Sequence, residues 1–515
     1  VVLAACAMLS VWPDSGAWGQ EPIAPAASAT TVRARPLALD EHQPAYFRWQ
    51  DRTFAVVTSG EHYGAVLNLD FDFTRYLDTL AADGMNGTRT FNGTYVEPPG
   101  AFGIERNTLA PAPGRFLAPW SRSDQPGYAG GGTKLDLSRF EPAYLERLEA
   151  FLRAAAERKI VVELTLFCAT YGEEQWKLSP WNPANNVNGE ALAGIDWRRL
   201  HQLEGNPALP FQEALVRYLV RELNEHENVY YEIQNEPWAD DSTIGEVLNP
   251  HILDNHNWPN AVQIPSAASV AWQSRIARVI ADEEKGLPNR HLIAQNISNF
   301  RLKLRESDVA PGVSVLNFHY AWPEAVAWSR LKDFRPEVPA QARLVGCNET
   351  GFLGTGDDVY RRQAWAFLFS GGGLFNHLDY SFSVGHEDGR DHQPASPGGG
   401  GPAIRKQLGA LSRFLNGFRL TTMVPSPSTV LSAPGMRVYA LAGHNEYAVY
   451  LEGRSGPIEM VLSTAPGFYR LQWIDPTDGH VLAEEPRRWV EAGPPLRLTT
   501  PPFEREIALG LQPVE

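Results

Sequence analysis

The stretch Val229-Tyr230-Tyr231-Glu232-Ile233-Gln234-Asn235-Glu236-Pro237-Trp238 decides how the chain is read. β-Branched and aromatic residues run up to a glutamate, and a proline then removes the next backbone donor, so a strand ends at Glu236. A second apolar run, Arg343-Leu344-Val345-Gly346-Cys347-Asn348-Glu349-Thr350-Gly351, ends in a glutamate before a Gly-rich loop. Around these two, strand-like runs alternate with amphipathic helical runs, the pattern of a parallel sheet with crossover helices. Candidate strands are 54–57 with 64–67, then 87–91, 161–167, 229–234, 291–295, 313–318, 343–347 and 373–378. Helical patterns cover 74–82, 144–158, 211–225, 268–284 and 359–370. This α/β alternation predicts a (β/α)8 TIM barrel over residues 45–420.

Connections from helix to strand are short, as at Asp83-Gly84, whereas those from strand to helix are long and rich in Trp, Pro, Gly and Asn. All the long ones emerge at one end, the face on which barrels carry their active sites. From residue 425 to 515 helical periodicity gives way to short alternating runs at 436–441, 446–451, 458–462, 469–474, 497–499 and 506–509, a small C-terminal antiparallel β-sandwich. The turn Asp475-Pro476-Thr477-Asp478-Gly479 suits a hairpin between two of its strands.

The 515 residues carry 45 Lys plus Arg against 60 Asp plus Glu, a formal charge of −15, and show no basic run. Nucleic acid is therefore not an expected partner, since phosphate neutralisation needs a basic patch. A 43% hydrophobic content excludes disorder as the main state. The spacing of Cys6, Cys168 and Cys347 matches neither a zinc site nor a disulfide framework, so no metal or cofactor is expected. Residues 1–20 hold an apolar stretch followed by Ala17 and Gly19, which reads as an export signal, with residues 21–44 as a linker; a secreted or periplasmic location follows. Leu3-Ala4-Ala5-Cys6 also resembles a lipobox that would make Cys6 a lipid anchor, but apolar residues continue past Cys6 and favour the plain signal. No later stretch approaches the about 20 apolar residues of a transmembrane helix.

Glu236 and Glu349 cap the fourth and seventh strands, whose ends can face each other across the barrel mouth. Two facing carboxylates are what glycoside hydrolysis needs: one protonates the leaving oxygen, the other attacks or stabilises an oxocarbenium-like centre. Mutual repulsion and burial should push their pKa values apart. Taken singly, each glutamate reads as an ion-paired strand-end residue; together, at matching positions, they read as catalytic.

The Asn-Glu-Pro of the fourth strand and the Glu-Thr-Gly of the seventh resemble the retaining glycoside hydrolases of clan A, closest in style to the cellulase-like family 5, over about residues 45–415. That resemblance implies an exported β-glycoside hydrolase acting on a poly- or oligosaccharide by double displacement, with Glu236 as acid/base and Glu349 as nucleophile. It also implies that Asn235 touches the sugar 2-hydroxyl and that Arg89, in Gly84-Met85-Asn86-Gly87-Thr88-Arg89, supports the nucleophile. Arg89 can equally sit in a salt bridge inside the barrel, with Glu232 as a partner, and the two roles are compatible.

Three strand ends depart from the family. At the sixth, His319 and Tyr320 adjoin where family 5 usually spaces them by one residue, and strand alternation sends neighbours to opposite faces unless the strand bulges. At the eighth, the usual tryptophan is missing, which leaves Tyr380 as a platform and Asp379 as a hydroxyl contact. The third ends in Cys168-Ala169-Thr170-Tyr171, without the histidine many cellulases have. Trp176, Trp181, Trp238, Trp258 and Trp322 either stack on sugars or anchor their loops, and Trp238 and Trp322 are the ones taken as substrate-binding. The His386–His392 stretch (386–392) reads as a solvated loop rather than a metal site. A non-catalytic carbohydrate-binding protein on the same barrel is the alternative; the presence of Glu236, Glu349, Asn235 and Arg89 counts against it.

Overall fold

Eight parallel strands close on themselves in chain order: β1 (Val56–Glu61), β2 (Gly87–Phe91), β3 (Val161–Cys168), β4 (Val229–Asn235), β5 (Ile293–Ser298), β6 (Val315–His319), β7 (Leu344–Glu349) and β8 (Leu374–Leu378). The computed structural model describes residues 35–247, 261–299, 306–320 and 343–514, so the expected signal, Cys6, Trp258 and Trp322 lie outside the described residues. β8 pairs with β1, and β4 with β5, which completes the expected barrel. Every residue of β3 and β4 is buried, because a parallel barrel is covered on both faces and its strands read as near-continuous apolar runs.

One element of the first strand is corrected. Residues 64–67 form a turn, and the strand instead runs on to Glu61, whose backbone registers with Arg89 of β2. Gly64 lies so close to the loop after β2 that a Cβ there would sit 2.2 Å from the Thr108 carbonyl oxygen, so the turn packs where a strand side chain would not fit.

The helices Phe73–Ala82, Pro142–Glu157, Leu209–Glu222, Ala267–Glu284 and Asp357–Phe369 cover the outside and correspond to the five patterns read from the sequence. Their starts are set locally: Asp72 accepts from the backbone N–H of Thr74 and Arg75, Ser266 accepts from that of Ser269, and Pro142 opens its helix where no donor is needed. A further helix, Pro402–Leu415, follows β8. No described helix is long and apolar enough to cross a membrane.

The barrel is layered along its axis. Its floor is apolar: Val56, Val161, Tyr230, Ala294, Val315, Leu344 and Leu374, from the starts of seven strands, pack with Phe47 and Trp49. Those two belong to a three-stranded sheet, Ala38–Leu39, Phe47–Trp49 and Arg52–Phe54, which plugs the bottom. Part of the stretch expected as a linker is therefore folded onto the barrel.

The C-terminal strands form a six-stranded antiparallel sheet facing a three-stranded one, around Val449, Leu451, Met460, Leu462, Leu471 and Leu509. Strand Val481–Val490 escaped the sequence reading because it is a charged edge, Glu484-Glu485 then Arg487-Arg488, mostly exposed and without apolar alternation. It pairs with Gly467–Ile474 through the expected hairpin turn. The sandwich docks on helix Asp357–Phe369: Trp365 stacks on Tyr450 at 5.1 Å, and buried Arg361 and Arg362 pair with Glu506 and Glu452. Because Trp365 is fully buried at this junction, Trp365→Ala should lower the unfolding free energy by about 3–5 kcal/mol in a urea titration followed by circular dichroism.

Candidate active site

Above the apolar floor the barrel is filled with polar side chains. Arg89 on β2 is fully buried and spends its guanidinium on side chains of two other strands. Nε reaches Glu232 of β4 at 3.0 Å, Nη2 gives to Glu232 and, at 2.7 Å, to Asn235 Oδ1, and Nη1 gives to Glu349 Oε2 at 3.2 Å. Glu232 also accepts from Thr165 at 2.8 Å, Asn348 at 2.7 Å, Asn317 at 3.0 Å and Asn296. Gly346 makes room in this layer, since a Cβ there would lie 2.5 Å from Asn317 Oδ1. Glu163 of β3 sits beside them, accepting from Asn317 at 2.5 Å. Burial and the neighbouring Glu232 charge push its carboxyl up to about 8, against the pull of Arg89.

At the top of this layer Glu236 and Glu349 meet. Glu236 has left-handed backbone, φ 46° and ψ 53°, strain of the kind that concentrates at functional sites. Its N–H gives to Asn296 Oδ1 at 3.0 Å, which fixes the turn into Pro237. One oxygen of each glutamate and a ring nitrogen of His319 lie within 4.8 Å of one another. The Tyr320 hydroxyl lies between the carboxylates, 2.6 Å from Glu236 Oε1 and 2.7 Å from Glu349 Oε1. His319 Nδ1 is 3.0 Å from Glu236 Oε1 and 3.4 Å from Glu349 Oε2.

Adjacent His319 and Tyr320 both face the site because β6 bulges there. The β6–β7 register shifts between Phe318 and His319, and Tyr320 then takes a left-handed backbone, φ 52°. Two further tyrosines complete the shell: Tyr171 gives to Glu236 Oε2 at 2.7 Å and Tyr63 gives to Glu349 Oε2 at 2.6 Å. Neither was read as a site residue. Tyr171 stands just past β3, where the family histidine is missing, and Tyr63 follows β1 at a strand end obscured by the misplaced 64–67 strand.

The expected upward push on one carboxyl is not what governs Glu236. Burial does raise it, but the hydrogen bond and charge of His319, with the O–H groups of Tyr320 and Tyr171, outweigh burial and hold it below the ordinary carboxylate range. Glu236, His319 and Glu349 are also the cluster that could hold a metal ion. A cation there would have to displace donors from all four carboxylate oxygens, and Arg89 lies 3.2 Å from one of them.

Glu236, Glu349, Arg89, Asn235, His319 and Tyr320 thus come together. Trp238 is buried with its ring edge-on to His319 at 5.2 Å, under the site rather than lining it. Asp379 lies aside: its carboxylate is taken by Arg405 at 2.7 Å and Ser381 at 2.5 Å. Tyr380 is buried against Phe352, 6.3 Å between rings. Trp181 is an anchor, buried edge-on to Trp120. In the 386–392 stretch, Asp391 binds Arg106 through both oxygens, at 2.5 and 2.7 Å, and so ties two loops together.

The carboxylates open into a cavity whose walls include Phe91, Phe102, Ile104 and Phe352. Glu97, from the loop after β2, is a third carboxylate in that wall, and the sequence reading did not single it out. Its oxygens accept from Tyr95 at 3.0 Å and from Asn107. Burial, with Glu349 and Glu236 nearby, pushes it up to about 7.

No protein-family model and no curated protein matches the sequence. Solved structures do share the fold. One, named a glycoside hydrolase, is 13% identical, with 93% of this chain and 97% of that chain covered and a TM-score of 0.57. A glycoside hydrolase family 5 structure from Bacteroides vulgatus ATCC 8482 is 14% identical over 92% and 93% of the two chains, TM-score 0.55. Another structure from the same organism is 13% identical over 95% and 84%, TM-score 0.59. The chain therefore shares the (β/α)8 fold of these glycoside hydrolase structures.

Glu163 offers a test of the polar layer. In the unfolded chain its carboxyl titrates near 4.5, whereas the folded protein holds the proton to about 8, so its contribution to stability is whole below 4.5 and is lost as pH rises to about 8. Glu163→Gln has no proton to lose. Its unfolding free energy should match wild type near pH 4.5 and exceed it progressively toward pH 8, by at most about 1.4 kcal/mol per pH unit, in urea titrations across that range.

Proposed function

We propose that the protein is an exported, retaining β-glycoside hydrolase that cleaves O-glycosidic bonds of a poly- or oligosaccharide by double displacement. The observation that carries this reading is the spacing of Glu236 and Glu349, whose near oxygens lie within 4.8 Å. Retaining pairs stand about 5–5.5 Å apart, whereas inversion needs about 6.5–9.5 Å to admit a water between carboxylate and sugar.

Glu349 is the nucleophile. Arg89 and Tyr63 both hold its Oε2, and Oε1, which accepts from the Tyr320 hydroxyl, attacks the anomeric carbon and displaces the leaving oxygen. Glu236 gives that oxygen its proton. Held low in the resting pocket, Glu236 takes up that proton at Oε1, beside His319 Nδ1 at 3.0 Å, before the leaving oxygen departs. In the second step Glu236 deprotonates water, which attacks the glycosyl ester and releases Glu349. Tyr320 has one proton to give and two carboxylates in reach, so it can follow the negative charge from Glu349 to Glu236 once the ester forms. Asn235, held by Arg89 and 2.9 Å from the Tyr171 hydroxyl, is placed beside the pair for the sugar 2-hydroxyl. Every step is carried by these side chains.

The test is release of new reducing ends from a panel of polysaccharides and aryl glycosides, comparing wild type with Glu349→Ala. Wild type should act on at least one substrate, and the variant should lose that activity by more than about 1,000-fold. Equal activity in both proteins removes Glu349 as the nucleophile. Binding of a sugar without turnover by wild type favours the non-catalytic alternative.

A further inference from the structure

The cavity over the catalytic pair is bordered at Ile104 by a loop that is latched to another from its next residue on. Arg106, in the loop after β2, forks onto Asp391 in the loop after β8 at 2.5 and 2.7 Å, and its N–H gives to Gln393 Oε1 at 3.0 Å. Alongside, the Glu105 N–H gives to Ser396 at 3.1 Å, and Glu105 itself accepts from the Ala395 N–H at 2.7 Å. A long polysaccharide threading a cleft needs both ends open, and this latch ties the loops after β2 and β8 together at one.

Glu97 belongs to the latched loop. Its N–H pairs with the Leu109 carbonyl at 2.9 Å, and the residue is 6% exposed yet forms part of the cavity wall. Tyr95 and Asn107 hold one oxygen each, so the carboxyl is fixed in place, while each oxygen keeps a second lone pair for a further donor. The remaining wall on this side is apolar, with Phe91, Ile104 and Leu109. A carboxyl fixed among apolar groups beside two catalytic carboxylates is the arrangement by which a pocket reads hydroxyl positions: an apolar surface receives the sugar's C–H faces, and a few polar groups set its orientation.

We propose that Glu97 is a specificity-determining residue that hydrogen-bonds a hydroxyl of a terminal sugar unit, in a blind pocket bordered by the latched loops, so that the enzyme removes single units from chain ends. This rests on the retaining-hydrolase reading above. The 2-hydroxyl side is served by Asn235, so the hydroxyl that Glu97 reads is one of the others on the same ring.

The test uses the full chain and the aryl glycoside that wild type hydrolyses best, together with its 3-, 4- and 6-deoxy analogues, and compares kcat/KM for wild type, Glu97→Gln and Glu97→Asp. Assayed above pH 7, where Glu97 is ionised, wild type should lose about 10–100-fold on one analogue, as befits a hydrogen bond to a charged group. Both variants should be impaired on the parent glycoside and lose less than about 3-fold further on that same analogue. A purely structural Glu97 would slow all substrates by one common factor and leave the deoxy penalty of wild type intact, which overturns the proposal. Digestion of a pentasaccharide of the same sugar gives the second arm and needs no variant: single units should appear from the start, and early mixtures of internal fragments overturn the blind pocket. Wild type silent on every glycoside overturns the hydrolase reading and this one with it, whereas active wild type with an unaltered deoxy penalty in the variants overturns this one alone.

Discussion

The guanidinium of Arg89 is the contact on which the rest of the site depends. It is sealed from solvent and touches Glu232, Asn235 and Glu349, so one side chain ties the interior of the barrel to the carboxylate at its mouth. A buried ion pair adds little net stability, because desolvation offsets the attraction, but breaking one by removing a partner costs about 3–5 kcal/mol. Evolution of the interior is therefore constrained around the pair. Once Arg89 is inside, Glu232 is needed against it, and the carboxamides of Asn296, Asn317 and Asn348 are needed to satisfy Glu232. These side chains come from β5, β6 and β7, so the network also sets how the strand ends stand relative to one another.

Above that rigid layer the backbone departs from regular strand geometry where side chains must be turned toward the cavity. Glu236 and Tyr320 both adopt left-handed backbone, at a cost of order 1–3 kcal/mol each. The layered barrel supplies that energy through its apolar floor, sealed by Phe47 and Trp49, and through the sandwich packed on the helix after β7. Strain, charge and cavity thus gather at one end, while the packing that sustains them lies at the other end and on the outside.

How much of this could be read from sequence follows from what each feature depends on. The eight strands were legible because burial on both faces writes itself into local composition, and Glu236 and Glu349 because each ends such a run. The Arg89–Glu232 pair could be anticipated from inward-pointing positions on facing strands. Tyr63, Tyr171 and Glu97 could not, since they sit just past strand ends or in a long loop whose path is set by distant contacts such as Arg106 with Asp391. The His319-Tyr320 puzzle turned on a bulge, which only the pairing with β7 reveals. Asp379 looked available at the end of β8, yet Arg405, from a helix 26 residues further on, consumes it.

The central claim is that Glu349 forms and then releases a covalent glycosyl ester, and the anomeric configuration of the first product tests it most directly. Proton NMR of a β-glycoside digest, recorded within the first minutes before mutarotation mixes the anomers, should show the β-anomer appearing first. First appearance of the α-anomer would mean a single inverting displacement and would contradict the account.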